Sequence, residues 1–468
     1  MARLALRFVA MAAVLSLGSG CARVSSWIGT DTKRGDEGAS AKATTHAAEL
    51  PPIIVEPFGP EPPPPPTAPI RVIVAGDLIP HRPALAQPSA LTSALLPLQP
   101  LFAKSDAVIA NYEAATGELE KKAFRLAYAA PPAWLEALPT SGIKAVTVAN
   151  NHACDLDYEG VETTLTTASK AGLTIIGGDM KGDPWAPRTV AEQGGKRVCA
   201  VAWTTFLNAQ GGCARTTRLA VASENAEGRK RVAAALQRAR STCDATIAII
   251  HGGEEYVPQT PAVMNVARQA ADSGADAVVI HHPHIASPVV VHKTKDGRQI
   301  PIFASIGNLV SNQGESWKPP MFPVLRENRR LVCVNGWTRL GVLADLAFDF
   351  RSPSQAKLDW SFHLLWTDNE HAEDKAPVPK IATRLLDPDK DEAIIARLSD
   401  DEMGPTDLFD DPCWVERPVY SEGDRASDAR CKTSLVRGPS APSMSSARSG
   451  QPRGKAHAPS DAKKGKAP

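Results

Sequence analysis

The stretch Ala145-Val-Thr-Val-Ala-Asn-Asn-His-Ala-Cys-Asp155 decides the reading of this chain, because a short apolar run stops there on two amides and an imidazole. At the carboxyl end of a strand in an open α/β sheet the backbone turns and side chains face a common crevice, so sites are built there. Asn-Asn-His alone is a weak signal, since a left-handed turn beside a surface histidine has the same letters. Four other strand-like runs also end on ligand-type residues. Pro69-Ile-Arg-Val-Ile-Val-Ala-Gly-Asp77 ends on an aspartate, and Ala107-Val-Ile-Ala110 leads into Asn111-Tyr-Glu113. Ala245-Thr-Ile-Ala-Ile-Ile250 meets His251-Gly-Gly-Glu-Glu-Tyr256, and Asp276-Ala-Val-Val-Ile280 meets His281-His-Pro-His284.

Between these runs the spacing predicts helices over 161–171, 229–239 and 262–273, the last ended by Gly274. Further strands are expected at 173–176, 196–202 and 302–306, the last meeting Gly307-Asn308. Strand and helix alternate, so the expected fold class is α/β, with a mixed or mainly parallel sheet covered by helices.

With 468 residues and 43% apolar content the chain can build a substantial core. The net charge of +1 favours no particular partner, and no nucleic-acid partner is expected. Two cations in residues 1–7, an apolar run from Phe8 to Leu17 and the small residues Gly18-Ser-Gly20 before Cys21 read as an export signal. The apolar run is too short for a permanent span. Gly-Ser-Gly-Cys resembles a bacterial lipoprotein processing site with Cys21 as the lipidated residue, although Leu17 lies four rather than three positions before it. The expected location is therefore a membrane-anchored lipoprotein of the cell envelope; the alternative is a cleaved signal and a periplasmic or secreted protein.

The forty prolines crowd between Pro51 and Pro69 and in the C-terminal tail. Residues 22–69 cannot bury enough apolar surface to offset their ordering entropy and read as a disordered tether, with Pro62 to Pro66 a stiff spacer rising about 3.1 Å per residue. Residues 70–365 form the expected folded domain, 366–421 a C-terminal extension and 422–468 a disordered basic tail with ten cations and four anions. Such a tail is a solvated end or a contact for an anionic polymer or lipid headgroup. Beyond Cys21 seven cysteines remain; Cys213 with Cys243 is one candidate pair, and the absence of Cys-x-x-Cys excludes a zinc ribbon.

The strand ends together supply Asp77, Glu113, Asn151, His152, His251, Glu255, His282 and His284. Carboxylates, imidazoles and an amide oxygen without thiolates suit Mn²⁺, Fe or Zn²⁺, and they exceed the needs of one tetrahedral ion. Two divalent metal ions ~3.5–4 Å apart, of unassigned identity, are the natural reading.

These words and their order resemble the bacterial capsule-synthesis CapA family, which includes poly-γ-glutamate synthesis proteins. Gly76-Asp77 is similar to the family's opening Gly-Asp, Asn111-Tyr-Glu113 to its Asn-x-Glu, and Ala149-Asn-Asn-His152 with Asp155 to its Ala-Asn-Asn-His-x-x-Asp. His251-Gly-Gly-Glu-Glu-Tyr256 resembles His-Trp-Gly-x-Glu-Tyr, Gly274-Ala-Asp276 with His282-Pro-His284 resembles Gly-Ala-Asp followed by Gly-x-His-Pro-His, and Ser305-Ile-Gly-Asn308 resembles Ser-Leu-Gly-Asn. The resemblance covers about residues 70–312. Gly252 replaces the usual Trp, implying looser packing about a substrate, and Ile280 replaces the usual Gly, implying crowding near a ligand.

The resemblance implies the metallo-dependent phosphatase-like fold, a four-layer α/β/β/α sandwich with a dimetal site. It further implies Asp77, Glu113, Asn151, His251, His282 and His284 as metal ligands, with Glu113 as the bridge. His152 then falls where the phosphoesterases keep a histidine that protonates the leaving group, a role worth typically 10²–10⁴-fold. Glu255, Asn308 and Asp155 are read as substrate-contacting or ligand-supporting residues. His281 is solvent-facing or structural, and His81 is a surface residue. Trp134, Trp203 and Trp337 are core residues.

Two functions fit. One is a cell-envelope, metal-dependent phosphoesterase-like enzyme in the biosynthesis or attachment of an anionic extracellular polymer, with that polymer or its phosphorylated precursor as partner. The other is a non-catalytic, lipid-anchored accessory or polymer-binding module of a polymer-synthesis or export complex. ATP-driven ligation is not expected, because no Gly-rich loop ends in Lys-Ser or Lys-Thr.

Overall fold

The apolar run at Ile70 to Ala75 sends Ile70, Val72 and Val74 into one core and Ile73 and Ala75 into another. A strand buried on both faces is written as an unbroken apolar run, which is why its sequence lacks alternation. The computed structural model describes residues 64–80, 85–118, 127–208, 212–321, 332–369, 380–401 and 404–436. The expected signal, Cys21, most of the tether, His81 and the chain after 436 lie outside them.

The run becomes β1 (Ile70–Leu78), and α1 (Pro88–Leu95) and the single-turn α2 (Gln99–Phe102) lead to β2 (Ala107–Tyr112). The two-residue strands β3 (Ala115–Thr116) and β4 (Ala129–Ala130) pair beside it, followed by α3 (Pro132–Glu136), β5 (Ala145–Thr147), α4 (Asp157–Lys170) and β6 (Thr174–Ile176). A second series comprises β7 (Arg188–Gln193), β8 (Lys196–Thr204), α5 (Ala226–Thr242), β9 (Ala245–His251), α6 (Pro261–Ser273), β10 (Ala277–His281), β11 (Ala286–Lys293) and β12 (Gln299–Ile306). The chain then returns to the first sheet through β13 (Asn308–Val310), β14 (Leu340–Asp349), β15 (Lys357–Asn369) and β16 (Ile381–Leu385). After α7 (Glu392–Ser399), β17 (Lys432–Ser434) closes the described chain.

The first sheet runs β16-β15-β14-β1-β2-β5-β6, with β13 on β1 and β17 on β15. Its β1, β2, β5 and β6 are parallel, whereas β14 to β17 are antiparallel additions. The second sheet runs β11-β12-β10-β9-β8-β7 and is parallel through β8, β9, β10 and β12. One core lies between the sheets, a second between the first sheet and α1 to α4, and a third between the second sheet and α5 and α6. This is the expected four-layer α/β/β/α sandwich. On α6 the buried Val263, Met264, Ala267, Ala270 and Ala271 follow the period of one helical face, and Asn225 caps α5 by accepting from Gly228 N. Among the described residues no helix is long and apolar enough to cross a membrane.

The C-terminal part differs from its sequence reading. The boundary at 365/366 falls inside β15, and residues 422–436 are not a free tail. They carry β17 and Cys431, which is bonded to Cys413. Arg425 Nη2 donates to the fully buried Asp345 at 3.0 Å, beside Arg71, whose Nε donates to Asp345 at 2.9 Å. A Ser- and Arg-rich segment is thus held by a cross-link and a buried acid rather than by an apolar period. Cys213 pairs with Cys154, and Cys243 with Cys199, not with each other. Cys199 on β8 lies near the end of α5, which packs on that strand, so Cys243 reaches it directly. Cys333 is the free cysteine among the described residues.

Candidate metal centre

Both parallel arrays present their carboxyl ends at one rim. Asp77 stands near the end of β1 and is flanked by Asn111 on β2 and by Asn308 on β13 in register. His251 ends β9 and His281 ends β10, in register with each other. Asp77, Glu113, His251 and the three histidines 281, 282 and 284 are all buried, at 0–4% exposure. Gly76 permits this closeness: a Cβ there would stand 2.2 Å from the carbonyl oxygen of Gly307. Its role is the close approach of two backbones.

Two groups of ligand atoms converge, Asp77 with Glu113 and His251, and Glu113 with His282 and His284, each within 4.8 Å of one another. Glu113 belongs to both, the position a bridging carboxylate requires. Its Oε1 lies 3.7 Å from His251 Nε2 and 3.7 Å from His284 Nε2, too far for hydrogen bonds. Both Glu113 oxygens and His282 Nδ1 are buried with no hydrogen-bond partner among the described residues. Leaving such groups unpaired is costly. A cation with ligand distances near 2.0–2.2 Å fills gaps of this size, so the residues fit the expected metals.

Burial, then the charges of Asp77 and Glu255, push the Glu113 carboxyl well above its usual range. Asp77 behaves oppositely: burial opposes its ionisation, but the charges and hydrogen bonds of His281 and His284 hold it well below. Burial and the neighbouring His282 hold His251 well below the usual imidazole range, and burial with His284 takes His282 down to about 3. Neutral imidazoles keep a lone pair for a cation, and a cation would favour the ionised form of Glu113. His284 is raised despite burial, through its hydrogen bond and charge interaction with Asp77. His282 and His284 hold left-handed backbones at φ 98° and 58°. Non-glycine residues persist there only where surrounding structure compels them, commonly at functional sites.

Asn151 Oδ1 lies 2.8 Å from His251 Nε2, so these two expected ligands face each other. His152 Nδ1 donates to Asp155 Oδ2 at 2.6 Å, which makes Asp155 the residue that orients the imidazole. Asn308 Oδ1 lies 3.1 Å from His284 Nδ1 and its amide donates to Gln313 Oε1 and Thr338 O, fixing that histidine's ring. Glu255 is half-buried and close enough to act electrostatically on Glu113 and His284.

His281 is not solvent-facing. It is 1% exposed and donates from Nδ1 to Asp77 Oδ1 at 2.8 Å, the structural of its two expected roles. Ile280 does not crowd a ligand, because its side chain lies in the core beneath α5 and α6. Nor does Gly252 leave a gap, since a Cβ there would stand 2.5 Å from Thr205 Oγ1, and the adjacent Phe206 ring meets His282 edge-on at 5.1 Å. Trp134, Trp203 and Trp337 are core residues as expected.

Sequence reasoning passed over Asn111. Its Nδ2 donates to Asp77 Oδ1 at 2.8 Å and faces His251 Nδ1 at 3.2 Å, while its Oδ1 accepts from Thr147 Oγ1 at 2.9 Å. One amide therefore ties a candidate ligand of the first sheet to one of the second. Its place two residues before Glu113 was the available signal. Asn150 is similarly structural, donating to Tyr112 O at 2.7 Å and accepting from His152 N at 3.1 Å.

Residues 71–313 match the family described as bacterial capsule synthesis protein PGA_cap. The chain is 27% identical over 224 residues to the capsule biosynthesis protein CapA of Bacillus anthracis, a match covering 46% of this chain and 53% of that protein. It is 29% identical over 168 residues to the PGA biosynthesis protein CapA of Bacillus subtilis strain 168, covering 36% of this chain and 42% of that protein. The chain thus spans about half the length of the curated relatives it matches. Because the matched segment contains every residue of the buried centre, from Asp77 to Asn308, and extends over half of the sequence, the chain belongs to the bacterial capsule synthesis family of the CapA proteins.

Proposed function

We propose that this protein is a metal-dependent, phosphoesterase-like enzyme of the cell envelope, acting in biosynthesis or attachment of an anionic extracellular polymer of the poly-γ-glutamate type. The observation that carries the reading is Glu113, a fully buried carboxylate without a hydrogen-bond partner among the described residues, standing between Asp77 and His251 on one side and His282 and His284 on the other.

Asp77, Glu113, Asn151, His251, His282 and His284 would hold two divalent cations, Mn, Fe or Zn. These would supply charge stabilisation on a phosphoryl oxygen and activation of a water. The chain's own residues supply the rest. Asp155 accepts the Nδ1–H of His152 and so fixes the ring, leaving Nε2 toward the departing oxygen; in the imidazolium form, protonated on both nitrogens, Nε2 gives its proton to that oxygen and the ring is left neutral with Nδ1–H still on Asp155. Asn308 and His281 hold His284 and Asp77 in place. The names of the relatives support a role with a polymer of capsule type; that polymer or its phosphorylated precursor would be the substrate. The sequence before Cys21 supports export and lipid anchoring, and through that anchor contact with a membrane and a polymer-synthesis complex.

Purified full-length protein analysed for bound metal, then assayed with Mn²⁺ on bis(p-nitrophenyl) phosphate and on aryl-alkyl phosphodiesters, tests the enzymatic reading. Close to two ions per chain and hydrolysis abolished by chelation are expected. Stoichiometric metal without hydrolysis of any phosphoester would favour the non-catalytic accessory role instead. Labelling cells with a radiolabelled fatty acid, with and without Cys21→Ala, tests the anchor.

A further inference from the structure

Tyr128 touches both members of the His152–Asp155 pair by two different means. Its ring lies against the His152 imidazole, with centroids 4.0 Å apart and planes inclined by 31°. Its backbone N–H donates to Asp155 Oδ2 at 2.6 Å, the oxygen that also accepts from His152 Nδ1. Its carbonyl accepts from Ala115 N at 3.0 Å, two residues after Glu113, and the next residue, Ala129, pairs with Ala115 in the β3–β4 ladder. One residue therefore links the segment following the bridging carboxylate to the acid and its orienting carboxylate.

A single hydrogen bond at Nδ1 leaves an imidazole free to pivot about that bond, since the torsion next to the ring is broad. A second surface across the ring face removes that freedom, and an aromatic face does so with favourable stacking. The phenol keeps its proton, because burial and the carboxylates of Glu113, Glu255 and Asp155 raise it. Its ring thus offers the imidazole a neutral aromatic face.

We infer that Tyr128 is a positioning residue: its aromatic ring clamps the His152 imidazole in the orientation in which Nε2 serves the departing oxygen, and its backbone holds the carboxylate that fixes Nδ1. The inference rests on the acid role given to His152 above, and it concerns the ring rather than the hydroxyl.

Two arms test it on full-length protein. In the first, histidine-labelled protein is examined by NMR, with the His152 signal identified by its loss in His152→Gln. The stacked ring should displace the His152 ring-proton resonance; Tyr128→Phe should keep that displacement and Tyr128→Leu abolish it. An unchanged His152 resonance in Tyr128→Leu overturns the inference, whether or not the protein is an enzyme. In the second arm, rates with Mn²⁺ are compared for phosphodiesters with good and poor leaving groups. Tyr128→Leu should lose roughly 10–100-fold on an alkyl leaving group, much less on p-nitrophenol, and Tyr128→Phe should restore the rate. Equal losses on both leaving groups, with metal content unchanged, would make Tyr128 merely structural. Absence of hydrolysis by the wild type would instead count against the phosphoesterase reading, and the resonance arm alone would then decide on Tyr128.

Discussion

The His152 imidazole and the Asp155 carboxylate meet at 2.6 Å, Nδ1 to Oδ2, three residues apart and both nearly buried. The spacing is that of a short turn after β5, in which Asp155 N also donates to His152 O. The pair is local, whereas the candidate metal ligands come from both sheets, and His152 is not among them. His152→Ala should therefore retain bound metal while losing about 10²–10⁴-fold in hydrolysis of poor leaving groups. Asp155→Asn should keep the ring in place but disturb its tautomer and lose an intermediate amount. Metal analysis beside a leaving-group series checks both, and full activity in His152→Ala would remove the proposed acid.

Glu113 calls for the opposite behaviour. Glu113→Gln removes the one carboxylate common to both ligand groups, so bound metal should fall from about two ions to one or fewer. Metal-free protein should keep its stability to within about 1 kcal/mol, because the substitution neutralises a buried acid that burial already holds toward its neutral form. Added Mn²⁺ at 100 times its Kd should raise wild-type stability by about 2.7 kcal/mol for each site filled, and the variant should lose the gain of at least one site. Thermal melts with and without Mn²⁺ measure the difference.

Most residues of this buried cluster stand out in the letters because they sit where apolar runs stop. Ala245 to His251 is buried on both faces, so its only polar ending stands out. The antiparallel half of the first sheet was not legible: Asp345 and His363 are polar letters on fully packed strands, and they are tolerated only because Arg71 and Arg425 come from distant segments. His281 and His282 carry the same letter side by side. Sequence cannot tell which one turns its ring to Asp77; the register of β10 on β9 decides it. The Cys199–Cys243 disulfide depends in the same way on which strand α5 covers.

Gly76 tests whether β1 and β13 must approach as closely as they do. In Gly76→Ala the new methyl would stand 2.2 Å from Gly307 O and 2.9 Å from the Asn308 carbonyl carbon, both backbone atoms that cannot swing aside. The β1–β13 register carrying Asp77 beside Asn308 would have to open. A loss of about 1–3 kcal/mol in stability is expected, together with weaker metal binding because Asp77 moves. Chemical denaturation and metal titration report the two effects separately. Wild-type values in both would show the approach to be dispensable.

Asp345 sets the acid limit of the fold. Burial would raise its carboxyl, yet the His363 ring at 3.5 Å and the charges and hydrogen bonds of Arg425 and Arg71 hold it far below the ordinary carboxylate range. A carboxyl depressed in the folded state contributes stability that is complete above its unfolded pKa, about 3.9, and that is lost as pH falls through the folded value. Unfolding free energy at neutral pH should therefore hold down to about pH 4 as far as this group is concerned, then decline as acid protonates it. Asp345→Asn leaves two guanidinium groups facing a neutral amide in a packed setting, and it should cost about 3–5 kcal/mol at pH 7. Because Arg425 anchors the C-terminal segment to this acid, the variant should also expose residues 415–430 to protease before the sheets unfold. Limited proteolysis with mass mapping, beside denaturant melts at pH 7 and pH 3, checks this. A wild-type cleavage pattern in the variant would show that Cys413–Cys431 and β17 hold the segment without the ion pairs.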